Sequence, residues 1–267
     1  MRSIPTIVIP IALALLAAGC GGSRTADDRP GDRAGATATP ATGAPGDRLP
    51  RGSEPAKLDP ANFTTEIDNP YWPMSPGSRW VYRETDTEGA KEKVVVEVTD
   101  ETKKIANGVE ARVVRDTVTE SGEPVEVTDD WYAQDKAGNI WYLGEDTAEY
   151  KNGKIDNRDG SFEAGVDGAE AGIALPGNPE PGLAYRQEYF RGEAEDRGEV
   201  VTVGEEQVDV PFGFFDKNVL MTRDLVPTEP KVQELKFYAA DVGPVLTQHT
   251  DGAGGRGELV SYTPGRG

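Results

Sequence analysis

The stretch Asp130-Trp131-Tyr132-Ala133-Gln134-Asp135-Lys136-Ala137-Gly138-Asn139-Ile140-Trp141-Tyr142-Leu143 decides the fold. Two aromatic-rich runs flank Asp135-Lys136-Ala137-Gly138. That tetrapeptide fits a type I turn with Gly138 in the left-handed region, closing a bulged hairpin. The register then sets Tyr132 opposite Tyr142 and Ala133 opposite Trp141. Side chains alternate along a strand, so Trp131, Ala133, Trp141 and Leu143 share one face. Tyr132, Gln134, Ile140 and Tyr142 share the other. Aromatics on both faces leave two readings: a strand pair covered on both sides, or one whose second face lines a ligand groove.

Outward from this hairpin the pattern stays β. Val94, Val96 and Val98 alternate within 93–99, and similar runs occupy 111–118, 199–203, 208–210, 219–222, 232–239 and 245–250. Turn residues such as Asn107-Gly108, Ser121-Gly122 and Asn152-Gly153 separate them, and no sustained helical period appears. The order of marks also repeats. Pro76-Gly77 precedes Trp80 as Pro181-Gly182 precedes Tyr185. Arg115-Asp116-Thr117-Val118 is echoed by Arg223-Asp224-Leu225-Val226, and Trp131-Tyr132-Ala133 by Phe237-Tyr238-Ala239. The expectation is an all-β protein of antiparallel sheets. Two similar halves, 76–150 and 181–250, form a barrel-like, half-barrel or sandwich domain. Convergent hairpin composition is the alternative source of the echo. Residues 155–179, poor in large apolar side chains, are expected to form an irregular connection.

The N-terminus has a separate logic. Arg2, an apolar run from Ile4 to Ala18, and Ala17-Ala18-Gly19-Cys20 make a charged start, a short apolar stretch and a small-residue cleavage site. The run is shorter than the roughly 20 residues a spanning helix needs. Cys20 is the only cysteine, so it has no internal disulfide partner. Its place after small residues resembles the lipobox of bacterial lipoproteins, with Ala17 where Leu is usual; a plain secretory signal is the alternative. This reading divides the chain into a signal peptide (1–19), a disordered lipid-anchored tether (20–58) and an acidic all-β domain (59–267). The 38 residues after Cys20 are low in apolar side chains and reach roughly 35 Å as a flexible coil.

The chain carries 28 Lys and Arg against 47 Asp and Glu. One of those bases lies in the signal and six in the tether, with five tether acids. The domain therefore has 21 bases, 42 acids and a net charge of −21. Such a surface repels nucleic acid and anionic head groups. No cysteine and one histidine, His249, leave no Cys nucleophile and no Cys/His zinc site. His249 reads as a solvated strand-end residue. Asp156, Asp159, Glu163 and Asp167 read as a solvated acidic loop, with an oxygen-ligand Ca²⁺ loop as the alternative. No phosphate-binding motif is present, and neither a cofactor nor a metal is expected.

Four stretches resemble a family of secreted bacterial lipoproteins of the actinobacterial type. They are Ile67-Asp68-Asn69-Pro70-Tyr71-Trp72-Pro73 leading into Pro76-Gly77-Ser78-Arg79-Trp80, then 130–145, 160–168, and Tyr185-Arg186-Gln187-Glu188-Tyr189 with Glu195-Asp196. The resemblance spans most of 63–262 and carries over no catalytic residue.

The functional expectation is a lipid-anchored module on the extracytoplasmic face of the membrane. It is read as non-catalytic, binding an apolar ligand or an envelope protein. Tyr71, Trp72, Tyr132 and Tyr142 are the candidate contact residues, because interfaces favour Tyr and Trp. A carboxylate-dependent hydrolase of cell-wall glycan and a structural envelope lipoprotein are the alternatives.

Overall fold

In the computed structural model, residues 49–85, 91–227, 230, 233–250 and 255–266 are described; Cys20 and the signal lie outside them. A 3-10 turn, Pro60–Asn62, and strand β1 (Phe63–Thr64) precede five antiparallel strands. These are β2 (Arg79–Thr85), β3 (Lys91–Lys104), β4 (Glu110–Glu120), β5 (Glu123–Asp135) and β6 (Ile140–Lys151). The short strands β7 (Lys154–Asn157), β8 (Phe162–Glu163) and β9 (Glu170–Leu175) follow. Next come β10 (Ala184–Arg186), β11 (Glu188–Tyr189), β12 (Arg197–Val203) and a separate hairpin of β13 (Val208–Val210) and β14 (Gly213–Phe215). The chain ends with β15 (Val219–Leu225), β16 (Gln233–Ala239), β17 (Gly243–His249) and β18 (Arg256–Thr263).

Thirteen of these strands are hydrogen-bonded in the order β10-β12-β15-β16-β17-β18-β2-β3-β4-β5-β6-β9-β11. They form a nearly closed antiparallel barrel. The strands at the two ends of that order are consecutive in the chain. Residues 184–186 pair with β12, and 188–189 pair with β9, so one stretch draws both edges together. Arg186 stands at this seam, 1% exposed. Its guanidinium donates to the carbonyls of Gly52, Glu54 and Ala171. Residues 49–58, read as the end of the tether, therefore lie against the barrel. Pro50 is buried, Leu49, Ala56 and Leu58 pack on the core, and the Ala56 N–H donates to Glu170 Oε2 at 2.9 Å. Composition hid this because the anchoring groups are mostly backbone carbonyls.

The expected all-β fold with two similar halves is the one observed. Strands β2-β3-β4-β5-β6 and β10-β12-β15-β16-β17 are two meanders of the same order, and their opening turns share backbone hydrogen bonds. The Gly77 N–H donates to Val98 O at 2.8 Å and the Val98 N–H to Ser78 O at 2.9 Å. The counterparts are Gly182 to Val200 O at 2.8 Å and Val200 to Leu183 O at 2.9 Å. Both glycines have φ +84°, a conformation that Gly adopts at no steric cost. Strand register repeats too. Arg112, Val114 and Asp116 face Tyr132, Asp130 and Thr128, while Leu220, Thr222 and Asp224 face Tyr238, Lys236 and Glu234.

The aromatic hairpin has the register read from its turn, Tyr132 opposite Tyr142 and Ala133 opposite Trp141, with Gly138 at φ +84°. Both of its faces are covered. Tyr132, Ile140 and Tyr142 join the main core inside the barrel. Trp131, Ala133 and Leu143 join a second cluster outside it, with Ile105, Val109 and Ala164. The segment 155–179 is more regular than expected. Its β9 is a barrel strand that buries Ala171, Ile173 and Leu175 against β6. Small and medium apolar residues suffice there because the strand packs among larger neighbours.

Candidate functional site

Alternation turns Val114, Asp116 and Val118 of β4 inward, along with Glu126, Thr128, Asp130 and Tyr132 of β5. Strand β6 needs a further device. Between Tyr132↔Tyr142 and Asp130↔Glu145 its register shifts, so Leu143 and Gly144 together oppose Trp131. Gly144 has φ +130°, and a Cβ there would meet Phe162 O at 2.3 Å. This bulge brings both Tyr142 and Glu145 to the lumen despite their odd spacing. Tyr142 Oη lies 2.8 Å from Asp130 Oδ1 and 2.6 Å from Glu145 Oε2. A phenol has one proton, so it donates to one carboxyl and accepts from the other, which must then carry a proton.

Burial has the same consequence along this wall. It pushes the Asp130 carboxyl up to about 8, against the hydrogen bond from Tyr142, and Glu126 to about 7. Asp116 and Glu145 are also held well above the carboxylate range by burial and by their acidic neighbours. At the seam, burial and Asp224 push Asp196 to about 8, and Glu188 beside it is raised as well.

Of the four sequence-predicted contact residues, the structure brings three together. Trp72 packs 5.5 Å from Tyr132 and 6.0 Å from Tyr238, and Tyr132 lies 5.1 Å from Tyr142. Trp72 arrives on the segment 67–74, which Asn69 and Gln134 pin. The Asn69 amide donates to Gly138 O, and Gln134 Oε1 accepts from the Asp68 and Asn69 N–H groups. Tyr71 is half-buried and makes no ring contact with the other three among the described residues.

The second half places different groups on the same frame. Lys236 Nζ sits 2.7 Å from Asp224 Oδ2 and 3.6 Å from Glu234 Oε2, all with side chains at most 6% exposed. His249 Nδ1 lies 3.2 Å from Glu234 Oε1, its side chain 13% exposed. His249 is therefore a partner of a buried carboxylate rather than the solvated residue expected. Its position at the end of β17 opposite Glu234 turns it inward. Burial opposes charge on both Glu234 and Lys236. For Glu234, Lys236 and His249 outweigh it and hold the carboxyl below its usual range; for Lys236, Asp224 and then Glu234 outweigh it and hold the amine above its usual range.

The lumen acids were not singled out from the sequence, although a signal was present. Tyr132 faces in by the hairpin register, and counting back by two gives Asp130, Thr128 and Glu126. In the acidic loop, Glu163 is taken up by Lys103, at 2.9 Å, and by the Ala106 N–H. No group of three or more His, Cys, Asp or Glu among the described residues is placed to hold a metal ion. Asp130 and Glu145, sharing a proton through Tyr142, have the make-up of an acid–base pair. Both are buried, at 2% and 4% exposure.

No protein-family model and no curated protein matches the sequence. Among solved structures, the chain is distantly similar to a "putative lipoprotein" from Parabacteroides distasonis, at 16% identity and TM-score 0.38. That match covers 72% of this chain and 98% of the other. A beta-barrel-like protein of domain of unknown function DUF1849 from Brucella abortus matches at 14% identity and TM-score 0.33, over 70% and 97% of the two chains. Both scores lie below 0.5, so neither likeness bears on ligand or location.

Proposed function

We propose that this protein is a lipid-anchored, extracytoplasmic binding module without catalytic activity, holding a small ligand inside its barrel. The carrying observation is that Trp72, Tyr132, Tyr142 and Tyr238 pack together in the barrel's interior. They come from the segment 67–74 and from both halves, and Tyr142 meets two carboxyl groups. Rigid aromatic walls with a few placed polar groups are the usual make-up of a small-molecule site. The signal, Cys20 and the polar run behind it support the anchor. Labelled palmitate should mark the expressed protein, and Cys20→Ala should remove the label; label surviving the substitution overturns the anchor.

The ligand is tested on the full chain, extracted from its host envelope in mild detergent. Native mass spectrometry and solvent extraction should find a bound small molecule whose occupancy falls in Tyr142→Phe. That variant keeps the ring and loses only the hydroxyl. An unliganded protein that turns over cell-wall glycan, with turnover abolished in Glu145→Gln, would favour the hydrolase reading instead. A second reading, docking to an envelope protein, has its own observation. Phe212 and Phe214 on the β13–β14 hairpin are 39% and 60% exposed, beside Val260 at 40%. In-cell cross-linking should then lose a discrete adduct in Phe214→Ser; an unchanged adduct pattern rejects that surface.

A further inference from the structure

The two halves solve the problem of a buried carboxylate differently. In the second, Asp224 on β15 and Lys236 on β16 are diagonal neighbours joined at 2.7 Å. In the first, Asp116 holds the place of Asp224, and the place of Lys236 is taken by Asp130. An acid therefore stands where the repeat calls for a base. Among the described residues no Lys, Arg or His nitrogen is ion-paired with Asp116, Asp130 or Glu145. Arg112, the basic residue on the same face of β4, spends its guanidinium on the carbonyls of Thr65, Thr99 and Glu101. Asp116 Oδ1 is buried with no hydrogen-bond partner, on a side chain whose residue is 2% exposed. A buried polar atom of this kind is rare without a partner in water, ion or ligand.

We infer that the lumen of the first half is a receptor for a cationic nitrogen, a primary ammonium or a guanidinium, seated among Asp116, Asp130 and Glu145 where the second half carries its own lysine. Tyr132 and Tyr142 flank this position, and their faces suit both the cation and an apolar body attached to it. The inference rests on the reading of the lumen as a ligand site, and it replaces the apolar ligand expected from sequence with an amphipathic cation. On binding, the ammonium displaces the proton that the Asp130–Tyr142–Glu145 chain holds, and that proton leaves to solvent.

The probe is n-butylammonium, which is the lysine side chain itself; 1-butanol is the neutral control, at matched ionic strength. For the full-length protein in detergent at pH 8, butylammonium at ten times its dissociation constant should raise the unfolding midpoint by about 2–4 °C. Butanol should not. Calorimetry in two buffers of different ionisation enthalpy should show proton release. Asp130→Asn, near-isosteric, should weaken butylammonium at least tenfold, whereas Glu234→Gln in the other half should leave it unchanged. Equal responses to butylammonium and butanol, or an undiminished response in Asp130→Asn, overturn the inference. A neutral lipid recovered by extraction, with no ammonium response, retains the lumen as a ligand site and rejects the cation. Absence of both rejects the two readings together.

Discussion

The first and second halves of the barrel share strand order and much of their turn geometry and register, yet at one inward position they carry opposite charges. Lys236 of β16 and Asp130 of β5 occupy equivalent positions, each diagonal to an inward aspartate, Asp224 and Asp116. The second half supplies its own cation, Lys236, 2.7 Å from Asp224, with Glu234 and His249 completing the network. The first half stacks acid on acid, and burial holds Asp116 and Asp130 above the usual carboxylate range. Similar frames with opposite solutions show that the frame does not demand the charge pattern. The second pattern serves stability, and the first is left incomplete by the protein's own residues.

The largest expected effect comes from removing the lysine. Lys236→Met leaves Asp224 and Glu234 buried without their cation, a loss of about 3–5 kcal/mol by the usual cost of breaking a buried pair. Urea unfolding at pH 8 measures it. The second half should then behave as the first does, with a smaller loss at pH 5.5, where the stranded acids take up protons. A loss below about 1 kcal/mol at pH 8 would mean the pair is a bystander and would break the comparison.

Next in size is the pH dependence of the intact protein. A carboxyl raised in the folded state holds its proton where the unfolded chain, near 4 for Asp and Glu, has released it. Its stabilising contribution is complete below about 4 and is lost as pH rises through the folded value. Glu126 near 7, with Asp130 and Asp196 near 8, place that loss between about pH 4 and pH 8. Glu234, lowered by Lys236 and His249 against its burial, has the opposite sign, but it is outnumbered. Thermal midpoints should therefore fall from pH 5.5 to pH 8.5. Asp130→Asn should flatten the slope and raise stability at pH 8.5 by on the order of 1 kcal/mol. A midpoint that climbs with pH, or a variant with an unchanged slope, would show that these carboxyls are solvated in the folded protein.

How much of this was legible depended on which interaction carried the information. The hairpin register was legible because Asp135 to Gly138 is local turn chemistry, and the repeat because turns and aromatics recur in order. The lumen acids were legible in part. The alternation that turns Tyr132 inward does the same to Asp130, but 42 acidic residues in the domain mask any single one until the barrel closes around it. Glu145 was not legible, since its inward direction depends on the bulge at Gly144, and Tyr-Leu-Gly-Glu reads equally as a strand end. The seam was hidden as well. Arg186 reaches Gly52 and Glu54 across more than 130 residues of sequence through carbonyl oxygens, and no side-chain pattern records that.

The smallest expected effect lies on the outside of the same strands, where the halves also correspond. Arg115 neighbours Asp116 as Arg223 neighbours Asp224, and alternation turns both arginines outward. Arg115 makes a two-pronged contact with Asp129, both bonds at 2.7 Å, whereas Arg223 only approaches Glu199 at 3.8 Å. Both arginine side chains are nearly half exposed, at 48% and 44%, so solvent screens each pair. Exposed pairs of good geometry contribute about 0.2–1 kcal/mol, and loose ones contribute little that can be measured. Double-mutant cycles in urea should give Arg115–Asp129 a coupling of a few tenths of a kcal/mol or more, and Arg223–Glu199 one indistinguishable from zero. The ranking at the surface is thus reversed from that inside, where the second half holds the stronger pair. Equal couplings at the two outer sites would mean that Arg115's two-pronged geometry is not maintained in solution. The contrast between the halves would then be confined to the lumen, where removal of Lys236 tests it.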